Sequence, residues 1–164
     1  MKTNLRMKLL AALLGALLVV TACGNNNAGG GGASSGGGSG AGPTTLEIGS
    51  DGENLAFDKT TLTASAGQEV TVNFTNNSAV QQHNWVLVNG GEAEAQAVAD
   101  GGLTAGLEAD YLPADKANVL ANTDVLDGGA TDDVTFTAPA AGSYLYICTV
   151  PGHYPLMQGT LTVN

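Results

Sequence analysis

This chain has only two histidines, His83 and His153, and the second sits between a cysteine and a methionine near the C-terminus. That stretch reads Cys148-Thr149-Val150-Pro151-Gly152-His153-Tyr154-Pro155-Leu156-Met157. His83 opens an apolar run, His83-Asn84-Trp85-Val86-Leu87-Val88. Any fold in which these four side chains act together must lay an upstream strand against a short downstream loop. That loop must start at a strand end, because Tyr144-Leu145-Tyr146-Ile147 runs directly into Cys148. Each residue alone has a plainer use. A buried Cys is commonly a small hydrophobe and a Met a gap filler. Four such residues in one pattern, with no histidine to spare, argue for a joint role.

The joint role is metal binding. One thiolate, two imidazoles and a thioether are the donors of a trigonal His₂Cys copper site with a weak axial Met. Zinc also accepts Cys and His, but thioether is a poor zinc ligand, so Met157 favours copper. The ligand set predicted is His83, Cys148, His153 and Met157, with one copper ion. Cys148 is the only cysteine downstream of Cys23. In an exported domain a lone thiol is exposed to oxidation unless something occupies it.

The remaining pattern is that of an all-β Greek-key β-sandwich with a short helical flap insertion. Leu46-Glu47-Ile48 opens a strand, and Val70-Thr71-Val72-Asn73-Phe74 alternates apolar and polar with period two. Val134 to Thr137 alternates again, and Gly159 to Val163 makes a last strand. Asn76-Asn77-Ser78, formally a glycosylation sequon, reads as a turn, and Asn89-Gly90-Gly91 as another. Residues 92 to 123 break the rhythm. Glu92 to Ala99 is rich in helix formers, with Gly101 and Gly102 expected to stop it and a second short helical piece around Leu103 to Tyr111.

The N-terminus reads as an address and a tether. Lys2, Arg6 and Lys8 precede an apolar run from Leu9 to Val20, too short to span a bilayer but suited to a signal peptide over residues 1–22. Val20-Thr21-Ala22-Cys23 resembles a bacterial lipobox, which implies acylation of Cys23; an ordinary secretory signal is the alternative. Residues 24 to 43 are almost all Gly, Ser, Ala and Asn, a composition that behaves as flexible coil reaching about 25 Å on average. Segment 23–43 is therefore expected to be a lipid-anchored tether, more than one acyl chain being needed for stable attachment, and 44–164 the metal domain. A Cys23–Cys148 disulfide is disfavoured because Cys23 lies in that tether. Without the signal segment, 15 Asp and Glu face only Lys59 and Lys116. Such a charge excludes nucleic acid and suits basic docking partners.

From Cys148 through Met157 to Gly159-Thr160-Leu161, and over His83 to Leu87, the chain closely resembles azurin, of the cupredoxin or small blue copper proteins. Gly106-Leu107-Glu108-Ala109-Asp110-Tyr111-Leu112 resembles the azurin flap, so the resemblance covers nearly all of residues 45 to 164. The anchor and tether resemble the membrane-tethered auracyanins. The resemblance implies type 1 copper on His83, Cys148 and His153 with Met157 axial, and an Asn84 that hydrogen-bonds near the thiolate and braces the loop. It implies that His153 reaches the surface within an apolar patch of Val150, Pro151, Tyr154 and Leu156 while His83 stays buried. Two departures stand out: Gln82 replaces a glycine whose carbonyl approaches copper in azurin, favouring four-coordination, and azurin's disulfide has no counterpart.

The expected function is one-electron transport between membrane-bound redox complexes, without catalysis, in the periplasm or on the outer face of the cell membrane. Other readings are weaker. A copper oxidase or reductase needs further histidines for a second centre. A Cys–His hydrolase needs an orienting third group. A copper store or chaperone would be expected to be richer in Met.

Overall fold

The computed structural model describes residues 42–164. The expected signal segment, Cys23 and the tether up to residue 41 lie outside the described residues. Eight strands form two sheets among the described residues. β1 (Thr44–Gly49), β3 (Glu69–Thr75) and β6 (Thr131–Thr137) make a three-stranded sheet in the order β1-β3-β6. β2 (Thr61–Ala64), β8 (Gln158–Val163), β7 (Gly142–Ile147), β4 (Val86–Val88) and β5 (Val119–Asn122) make a five-stranded sheet in that order. β1 pairs with β3, and β2 with β8, in parallel; the other pairs are antiparallel.

Period-two patterning sets the faces. In β3, Val70, Val72 and Phe74 are fully buried, while Thr71 and Asn73 face outward to bond Thr135 and Glu47. Burying side chains of this size stabilises by roughly 1.5–3 kcal/mol each. Opposite them pack Leu62, Ala64, Tyr146, Leu161 and Val163, with Trp85 and Met157 in the same cluster. β4 shows no alternation, because all three of its residues are buried. Val86 and Val88 meet a second cluster beneath helix α1 (Glu92–Ala105), formed by Ala95, Val98, Leu112 and Ile147. The continuous apolar run after His83 is thus a strand covered on both faces, by the sandwich core on one and the flap on the other.

The sandwich and its helical flap form as expected, with three corrections. Gly101 and Gly102 do not end the helix. They lie inside α1, where a Cβ on Gly102 would fall 1.9 Å from the Tyr111 carbonyl oxygen and one on Gly101 would fall 2.7 Å from Pro113 Cβ. These glycines let residues 111–113 lie on the helix, and Gly106, at φ 79°, caps it. The second helical piece is only a 3₁₀ turn, Leu107–Ala109. The insertion also ends earlier than residue 123, because β5 rejoins the sheet beside β4. Asn76 is fully buried with its side-chain nitrogen bonded to two carbonyls, so it offers no amide for glycosylation.

Candidate metal centre

Three donors meet at one end of the sandwich. His83 sits just before β4 in an isolated bridge with Leu126. Its N–H donates to the Leu126 carbonyl (3.2 Å), and the Leu126 N–H donates back (2.8 Å). Cys148 follows the last residue of β7, and the loop from 148 to 157 returns into β8. The loop is closed by its own backbone: the Cys148 N–H donates to Met157 O (3.1 Å), His153 N–H to Val150 O (3.0 Å) and Met157 N–H to His153 O (2.9 Å). Gly152, at φ 84°, makes the turn that swings His153 inward, a conformation that side chains with a Cβ rarely adopt.

His83 Nδ1 lies 3.1 Å from His153 Nδ1. Cys148 Sγ lies 3.4 Å from His153 Nδ1 and 3.8 Å from His83 Nδ1. The point equidistant from these atoms is about 2 Å from each, close to an ordinary metal–imidazole bond of about 2.0–2.1 Å. No other group of three or more His, Cys, Asp or Glu side chains among the described residues could hold a metal ion. The triangle therefore fits a single ion, and its soft donors fit copper. Met157 is fully buried in the same cluster as Cys148.

The electrostatics agree. Burial pushes the Cys148 thiol up to about 11, opposed by the backbone N–H groups of Asn84 and Val150 that bond the sulfur. Burial, with the His153 ring alongside, pulls His83 down to about 4. Burial also lowers His153. The metal-free centre is thus neutral at pH 7, and a metal must displace the thiol proton as it binds.

Asn84 ties the two ligand segments together. Its Oδ1 accepts the Thr149 N–H (2.9 Å), and its Nδ2 donates to Thr149 Oγ1 (2.8 Å) and to the Asp110 carbonyl in the flap (3.1 Å). His83 is wholly buried and His153 half-buried. Around His153, Pro151 and Leu156 are exposed, whereas Val150 packs on the main core and Tyr154 on the flap cluster. Two participants escaped the sequence reading: Leu126, the backbone partner of His83, and Asn76, whose Asn-Asn dipeptide reads only as a turn.

The plastocyanin/azurin family of copper binding proteins matches residues 44–164. Auracyanin-A of Chloroflexus aurantiacus is 70% identical over 126 residues, 77% of this chain and 78% of its own. Azurin-1 of Alcaligenes xylosoxydans xylosoxydans is 41% identical over 121 residues, 69% of this chain and 91% of its own. The solved structure of auracyanin A, a "blue" copper protein, superposes with a TM-score of 0.73, covering 74% of this chain and 99% of that one at 70% identity. A match over the whole two-sheet domain, centred on a triangle of copper-compatible donors, decides the assignment: this chain belongs to the plastocyanin/azurin family of copper binding proteins.

Proposed function

We propose that this protein is a membrane-tethered one-electron carrier, with His83, Cys148 and His153 holding a single type 1 copper and Met157 as its weak axial partner. The observation that carries this reading is the preformed triangle of donors, 3.1 to 3.8 Å on its edges. Bound copper supplies the one-electron couple between Cu(II) and Cu(I). The chain supplies donors that already stand where the ion needs them, two of them wholly buried, so little moves when the charge changes. His153, alone of the three in being only half-buried, offers the electron a short exit through Val150, Pro151, Tyr154 and Leu156. A small apolar contact of this kind suits a partner that must leave quickly. Acidic charge over the rest of the domain steers it toward membrane-bound redox complexes with basic surfaces.

Storage or delivery of copper is the alternative, and burial argues against it. A chaperone hands its ion over through accessible donors, whereas Cys148 and His83 are sealed. Copper reconstitution separates the two. The carrier reading predicts an intense visible charge-transfer band and reversible one-electron voltammetry; a colourless copper adduct that passes its ion readily to a chelator would overturn it. Residues 1–22 act on this reading as a lipoprotein signal, and acylated Cys23 anchors an exported domain through segment 23–43. An exported Cys23→Ala protein should leave the membrane fraction after a salt wash, and one that stays would refute acylation as the anchor.

A further inference from the structure

Metal-bound imidazoles are ordinarily aimed by a hydrogen bond from the second ring nitrogen. In His83 that nitrogen, Nε2, is buried and has no hydrogen-bond partner among the described residues. The orientation of this ring must therefore come from its backbone and its packing. The backbone is fixed by the two-way bridge to Leu126, and one side chain bonds the Leu126 carbonyl of that bridge and the segment leading into His83.

That side chain is Asn76, wholly buried at the end of β3. Its Nδ2 donates to the Leu126 carbonyl (2.9 Å), which also accepts the His83 N–H, and to the Gln81 carbonyl (2.7 Å), two residues before His83. Its Oδ1 accepts from Ser50 Oγ (3.1 Å) and from the Ser78 N–H (3.0 Å). A primary amide has two N–H donors and two oxygen lone pairs, and here all four are used. Aspartate would replace the donors with an oxygen facing two carbonyls, and an aliphatic residue would strip a partner from all four groups, leaving the Gln81 carbonyl and the Ser78 N–H with none. The surroundings leave no slack. Glu53 accepts the Ala79 N–H (2.6 Å) and the Ser78 hydroxyl (2.7 Å). A Cβ on Gly128 would come within 2.5 Å of the Ser78 carbonyl oxygen, so the turn after Leu126 lies directly on this loop.

We propose that Asn76 is a positioning residue for the metal centre. It holds His83 through the backbone, before the metal arrives and while the charge of the centre changes, doing from behind what a bond to Nε2 does elsewhere. The proposal rests on His83 being a ligand.

The test uses the full-length protein carrying Asn76→Asp, with Asn73→Ala as control; Asn73 lies on β3 three residues before Asn76 but bonds Glu47 at the surface. Ring NMR signals of both histidines are followed in metal-free and Cu(I) protein, together with the electron self-exchange rate of the loaded form. In N76D the metal-free His83 signals should broaden or split while those of His153 stay single, and self-exchange should slow by about tenfold, the lower end for losing a group that orients a ligand. N73A should alter neither. Sharp His83 signals with a wild-type exchange rate in N76D would reduce Asn76 to a purely structural residue. Should N76D fail to fold, Ser50→Ala, which removes one partner of Oδ1, must still broaden His83 selectively; unaltered signals there overturn the proposal. His83 signals that ignore Cu(I) in the unmutated protein would instead overturn His83 as a ligand.

Discussion

The two segments that furnish the metal donors are built on opposite plans. The upstream segment, residues 76 to 84, is fastened from outside. Ser50, Glu53 and Leu126, all distant in sequence, hold it, and Asn76, Ser78, His83 and Asn84 are buried. The downstream loop, residues 148 to 157, is fastened mostly to itself, through Cys148–Met157, His153–Val150 and Met157–His153 backbone bonds. Its outer turn exposes Pro151, Gly152, Pro155 and Leu156. A carrier needs donors that stay still as the charge changes and a route by which electrons arrive. This chain divides the tasks: one segment is immobilised, and the other is compact enough to be exposed without being loose.

The sharpest break in that comparison is at Cys148, the downstream thiol that is wholly buried beside both histidines. Cys148→Ser keeps the volume and removes the thiolate. The expected outcome is a folded protein with unaltered far-ultraviolet circular dichroism and complete loss of the intense visible band after copper addition. Retention of that band would remove Cys148 from the centre.

Asn84 is the strut between the two plans, and removing it should unsettle both. Asn84→Ala leaves the Thr149 N–H and Oγ1 and the Asp110 carbonyl without their partner. Each lost buried bond costs about 1–3 kcal/mol, and loss of such an orienting group typically weakens metal binding about 10- to 100-fold. Competition against a copper chelator measures this, and an unchanged affinity would show the segments to be independent.

The contrast also explains what could be read in advance. The downstream loop was legible because its donors lie within ten consecutive residues and the strand it leads into, β8, alternates over six positions. His83 stood out as one of only two histidines. The fastening of the upstream segment was not legible, because it is made by residues of ordinary type, such as Ser50, Glu53 and Leu126, that meet only in three dimensions. β2 and β5 are four residues each, too short for period two to rise above its surroundings. Gly101 and Gly102 signal a helix stop when only local propensity is weighed; close packing against Tyr111 and Pro113 requires them within the helix instead.

Met157 offers a gentler probe, since it closes the downstream loop and is proposed as the weakest donor. An axial ligand and the polarity about it tune the potential without creating the site. Met157→Leu should raise the reduction potential and Met157→Gln should lower it, with copper retained in both. Voltammetry giving the same potential for all three proteins would place Met157 outside the coordination sphere.

The finest cut compares the two most exposed large apolar residues among the described residues, one on each segment. Val80 is 82% exposed on the upstream segment and Leu156 is 67% exposed on the downstream loop. Both are free of packing duties, so an aspartate at either should fold normally and leave the visible band alone. Both substitutions add the same charge to an already acidic protein, so long-range steering toward a basic partner changes equally, and salt screens it equally. Any difference between them therefore reports contact. Leu156→Asp sets a carboxylate beside the half-buried His153, inside the patch proposed to meet the partner, where the charge must be desolvated when the partner docks. An unfavourable term of about 1.4 kcal/mol at the contact is a tenfold loss, and stopped-flow electron transfer to membrane redox complexes should slow by about that much. Val80→Asp should slow it less than about twofold. Equal rates for the two variants would mean that electrons do not enter through the downstream loop, and the division between a held segment and a touched one would have no functional meaning.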